Sequence, residues 1–97
     1  MEAGRKRLRR VSSFLEDFTS ANRAGVEFMI NDLDLAIAFL DVAAASNDSH
    51  VVRRNHGNAR TAYAAVVSLL ERLSLDQRQR QKIEAKLAVV TGRLLLL

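Results

Sequence analysis

Residues 23–46, "RAGVEFMINDLDLAIAFLDVAAAS", carry two apolar rows at helical spacing. Val26, Ile30, Leu33, Ile37, Leu40 and Ala44 recur at intervals of three and four on one side, while Phe28, Leu35, Phe39 and Val42 do so on another. Glu27, Asn31, Asp34 and Asp41 leave only a wet strip between them. A helix that is apolar over so wide an arc must be covered from more than one side, so this stretch predicts the central helix of an all-α fold. The remaining question is which segments supply the cover.

On the N-terminal side, Leu8, Val11, Phe14, Leu15 and Phe18 predict an amphipathic helix over about 4–19, with a basic first half formed by Arg5, Lys6, Arg7, Arg9 and Arg10. Ser20 and Asn22 are of the type that caps a helix N-terminus, since a short side-chain oxygen accepts from an unpaired backbone N–H. A break near Ser20 is therefore expected. On the C-terminal side, "SNDS" at 46–49 reads as a turn, with Asn47 or Asp48 as the next cap. A helix over 49–73 follows, with the stripe Val52, Ala59, Ala62, Tyr63, Val66, Leu70 and Leu73. Gly57 falls inside it, where glycine costs about 1 kcal/mol relative to alanine, and the helix is expected to run through. "SLDQ" at 74–77 has the form of a capping box opening a last helix over 75–96, with Ile83, Leu87, Val90, Leu94 and Leu97 on its apolar face. With short connections, the expectation is one domain, 1–97, folded as a four-helix up-and-down bundle (helices about 4–19, 23–46, 49–73 and 75–96) in which 1–20 form a basic amphipathic N-terminal helix.

Composition agrees with that class. The 97 residues include no proline, no cysteine and four glycines, too little punctuation for a small all-β fold. Without cysteine there is neither a disulfide nor a thiolate metal site, and the expected address is a reducing cytoplasm. "LLLL" at 94–97 is too short to span a bilayer, and Glu16 and Asp17 interrupt the apolar part that a signal peptide would need. Charge is distributed by segment: six bases and three acids over 1–23, five acids and no base over 24–49, nine bases and three acids over 50–97. Neutralisation of the acidic helix by its basic neighbours explains this as well as any external partner does.

Nothing in the chain has the form of a catalytic or cofactor site. His50 and His56 are six apart and so do not share a helix face, and neither a Glu-x-x-His nor a His-Glu-x-x-His occurs. Asp34 and Asp41 share a face, but it is the wet strip, with no accompanying base in sequence. Gly-rich phosphate loops and nucleophile elbows are missing. The expectation is thus a protein that is no enzyme and carries no cofactor or metal. Arg53, Arg54, Arg60, Arg78, Arg80, Lys82 and Lys86 could form a basic surface for nucleic acid, since guanidinium forks suit phosphate, but one tyrosine and no tryptophan offer little for base stacking. The basic cluster at 5–10 could also rest on an anionic membrane, but a solubilising end on a docked helix accounts for the same residues, so a membrane surface is not the expected partner.

Three runs, "AIAFLDVAAASND" (36–48), "ARTAYAAVVSLL" (59–70) and "RQKIEAKLAVVTGRL" (80–94), resemble the helices of the microtubule-interacting-and-transport module. They depart from it in a longer segment between Asp48 and Tyr63, in Val90 where an aromatic is usual, and in the apolar ending after Arg93. Tetratricopeptide hairpins share such alanine-rich patterns, although no 34-residue repeat is visible here. The resemblance implies a non-catalytic module that holds a partner helix in an apolar groove between its last two helices. Tyr63, Val66, Val67 and Leu70 with Leu87, Val90 and Leu94 would line that groove, and Arg93 would pair with an acid of the partner. The same spacing would serve a core equally well. Because four successive leucines on a helix face different directions, "LLLL" also points to a homodimer that covers part of it.

Overall fold

In a computed structural model, which describes residues 2–97 in the backbone and 12–97 in the side chains, the chain forms three helices. They are α1 (Glu2–Ala45), α2 (Ser49–Leu70) and α3 (Gln77–Leu95). The fold is all-α, but the expected four-helix bundle is not formed. The segment expected as a separate first helix is the first part of α1, which runs through Ser20 and Asn22 without a break. Serine and asparagine in a helix interior cost only tenths of a kcal/mol, and neither proline nor a positive-φ glycine interrupts the run. A potential cap is not a stop signal when the residues on both sides favour helix. The basic cluster Arg5–Arg10 and the stripe members Leu8 and Val11 lie outside the described side chains.

Three residues join α1 to α2 and six join α2 to α3. α2 therefore runs back along α1, and α3 returns parallel to it. Asp48 caps α2, its carboxylate accepting from the backbone N–H groups of His50 and Val51 at 2.8 and 3.4 Å. α2 passes through Gly57 unbroken, as expected. The capping box of α3 stands two residues later than "SLDQ" suggested: Asp76 accepts from Gln79 N–H at 2.7 Å, and the Gln79 side chain accepts from Asp76 N–H at 3.2 Å. The sequence offers two overlapping boxes, and the later one leaves Leu73 and Leu75 in the connection, where both pack on the core.

Val26, Met29, Leu33, Ala36 and Leu40 of α1, Ala59 and Val66 of α2, and Ile83 and Val90 of α3 form that core. Met29, Leu33, Val66, Ile83 and Val90 are fully buried. The bundle occupies only the C-terminal part of α1. At about 1.5 Å per residue the 44-residue α1 is roughly twice as long as either partner, and the molecule measures 71 × 24 × 16 Å. Gly25 marks where the bundle ends, because a Cβ there would stand 2.5 Å from Leu73 Cδ1. No helix among the described residues is long and apolar enough to cross a membrane.

Candidate functional site

The groove expected between the last two helices is closed by α1. Val66 and Val90 lie at the centre of the core, and Tyr63, Leu70, Leu87 and Leu94 pack around them. Tyr63 Oη accepts from the Thr91 hydroxyl at 3.2 Å, tying α2 to α3. Val67 is half-buried beside them. Arg93, expected to meet a partner's acid, donates instead to Asp41 of α1 at 2.7 Å. These side chains build the bundle.

The basic residues divide. Lys86 is paired with Asp34, and Arg80 lies 3.7 Å from Glu84 one turn on. Arg53, Arg54, Arg60, Arg78 and Lys82 are exposed. Thus α3 neutralises two acids of α1, at positions seven residues apart on each helix. Among the described residues no three metal-ligating side chains gather.

The surface left uncovered is the second apolar row of α1. Phe28, Leu35 and Val42 are 47%, 49% and 49% exposed, and the row continues N-terminally through Ala21 to Phe14, which is 67% exposed. These five residues stand seven apart. Phe18, Gly25, Asp32 and Phe39 follow the first four of them by four residues each, so the spacing alternates four and three from Phe14 to Val42. That is the heptad pattern of a helix seam that takes a second helix. Phe18 is also more than half exposed.

Along the bundle, the seam borders an open groove lined by Asp32, Leu35 and Phe39 of α1 and by Asn58, Thr61, Ala62 and Ala65 of α2. The α2 wall is made of small side chains, so a helix backbone could settle close to it. Asp32 is the one charged residue in the groove lining and has no ion-pair partner among the described residues. The groove is the position a fourth helix would fill. It lies open because residues 4–19 extend α1 instead of folding back. Sequence reading found Phe28, Leu35, Phe39 and Val42 as a second stripe but assigned their cover to the same chain. The seven-residue repeat back to Phe14 was the signal that the stripe crosses the supposed break.

Leu95–Leu97 are exposed at the end of α3 while Leu94 packs inward, as adjacent helical residues facing different directions require. No family model, no curated protein and no solved structure matches the chain. The runs 36–48, 59–70 and 80–94 fall on the last part of α1 with the connection after it, on α2, and on α3.

Proposed function

We propose that this chain is a non-catalytic protein–protein interaction module, a three-helix bundle that offers the uncovered side of α1 to a further helix, its own or a partner's. The observation that carries the reading is the exposed line Phe14, Ala21, Phe28, Leu35 and Val42, with an open groove beside its bundle half. Each large side chain on that line leaves roughly 25 cal/mol per Å² of apolar surface unrealised in water. Continuous apolar surface of this kind is a feature of interaction sites. The docked element shifts from the expected α2/α3 groove to the α1/α2 groove, because α1 already fills the former.

The test is site-specific photo-crosslinking in cells from position 35 on the seam and, as control, from Arg60, an exposed position on α2 that does not line the groove. Protein adducts from position 35 in excess of those from position 60 support the reading, whether they join this chain to itself or to another protein. Equal labelling from both positions overturns it.

A further inference from the structure

We infer that the helix covering the seam belongs to a second copy of this chain, paired antiparallel through α1 so that the N-terminal half of each α1 lies along the seam of the other and reaches its open groove. This rests on the interaction reading above and adds the occupant, its direction and its register.

The first argument is length and continuity. The groove lacks a helix, and the segment expected to fill it is present on every copy as the half of α1 beyond Gly25, where no other helix of its own chain accompanies it. That half is amphipathic, with Phe14, Leu15 and Phe18 all more than half exposed. A two-fold axis crossing α1 lets each copy give an arm and receive one, so the seam from Phe14 to Leu35 is covered by one self-complementary contact. The seven-residue period drifts by about 20° per heptad around a straight helix, and two such helices follow it by winding round each other.

The second argument is charge. The only acid on the seam between residues 14 and 42 is Asp32. Continued N-terminally with the same spacing, the seam passes Val11, Arg7 and Gly4, so its only base is Arg7. An antiparallel pair with its axis between Thr19 and Ser20 sets Arg7 of each copy opposite Asp32 of the other. More broadly, it brings the five bases at 5–10 beside residues 29–34, which hold Asp32 and Asp34 and no base. A parallel pair would instead stack Asp32 on Asp32 and the two basic segments on each other, which like charges oppose.

The third argument is the fit at each layer, and it agrees with the same register. With that axis Phe18 faces Ala21, large against small at the layer next to the axis, and Phe14 comes to Gly25, where Leu73 of the second copy already stands beside the glycine. Further out, positions 11 and 4 come opposite Phe28 and Leu35. Sliding one heptad towards the C-terminus would set Asp32 against Phe14 and Arg7 against Phe39, burying two charges on aromatic rings. Sliding a second heptad sets Phe14 against Phe39 and Asp32 against Ala21. Sliding the other way sets Phe14 against Phe18 and Arg7 against Gly25, away from Asp32. A charge taken from water without a counter-charge is costly enough to fix such a register.

The chain has no cysteine, so engineered thiols report the geometry directly. Full-length Val11→Cys and Phe28→Cys variants are mixed and oxidised at a concentration where light scattering gives the dimer mass. The expected result is a disulfide joining the two different variants, with little joining like to like. Predominance of like-with-like disulfides overturns the antiparallel register, and a strictly monomeric mass up to millimolar concentration overturns the second copy altogether. In parallel, Arg7→Glu or Asp32→Lys alone should raise the dimer dissociation constant at least tenfold, and the two together should restore it, helix content by circular dichroism being unchanged throughout. A double variant no tighter than the singles overturns the Arg7–Asp32 pairing. A monomer whose position 35 still labels another protein removes the second copy and leaves the interaction reading standing. A monomer with no such adduct removes both.

Discussion

Arg93 of α3 donates to the carboxylate of Asp41 of α1 at 2.7 Å, and seven residues earlier on each helix Lys86 meets Asp34. The equal step shows that α3 runs parallel to α1 and holds one fixed register along it. Both pairs sit at the edge of the buried strip, with side chains one third to two thirds exposed. Their contribution should therefore be small: a double-mutant cycle on Arg93→Gln and Asp41→Asn is expected to give a coupling of about 0.2–1 kcal/mol that falls as salt is added. A coupling well above that range, unaffected by salt, would show the pair acting as a buried one.

Two leucines two positions apart separate core from docking surface. Leu33 is fully buried and Leu35 lies on the seam. Leu33→Ala should cost about 2–5 kcal/mol in urea unfolding at any protein concentration. Leu35→Ala should change the unfolding free energy of the monomer by less than about 0.5 kcal/mol. Its effect should grow with protein concentration, because loss of a contact to a second molecule enters by mass action. Equal losses in dilute solution would place Leu35 in the core.

The glycines should respond differently to alanine. Gly57 lies in the interior of α2 with ordinary helical φ and nothing within 4 Å of a built Cβ, so Gly57→Ala is expected to stabilise by about 0.5–1 kcal/mol. At Gly25 the same change meets the end of Leu73, and the displaced leucine should cancel part of that gain. Thermal unfolding of the two variants side by side checks the order. A larger rise for Gly25→Ala would mean that Leu73 is free to move.

Asp76, not Ser74, closes the N-terminus of α3. Asp76→Ala should cost about 0.5–2 kcal/mol, whereas Ser74→Ala should be nearly silent. The reverse order in chemical denaturation would return the cap to the position the first serine suggested.

Deletion of Leu95–Leu97 tests the other exposed apolar group. These residues follow the last core-packed leucine and lie at the far end of the bundle from Phe14. Removing them should leave the mass measured by light scattering unchanged if α1 carries the self-association. A dimer that becomes monomeric on this deletion would place the contact at the C-terminus.

Most of the bundle was legible in residue spacing. Leu33, Val66, Ile83 and Val90 were each expected on an apolar stripe, and Asn47 or Asp48 as a cap, of which the structure uses Asp48, because periodicity and capping are local properties of the chain. What spacing could not fix was the fate of residues 4–19. Ser20 and Asn22 resemble helix starts, but capping potential competes with the helical preference of everything around it, and here no proline forces the issue. The Tyr63–Leu87 neighbourhood presented the opposite difficulty. A groove lining and a core lining have the same spacing, and only the position of α1 distinguishes them. Asp76 against Ser74 was a choice between overlapping motifs that the burial of Leu75 decides.

The connections and the packing also set an order of release. α2 follows α1 after three residues and lies against it along its length, whereas α3 follows a six-residue connection and meets its neighbours over less of their surface. Native-state hydrogen exchange should accordingly find α3 as the unit that opens first, at a free energy below that of global unfolding, with α1 from about Val26 onward and α2 as the slowest-exchanging pair. Each such opening uncovers Val66 and the inner face of Tyr63, so the face predicted from sequence as a groove would be exposed briefly, in the minor state of the protein.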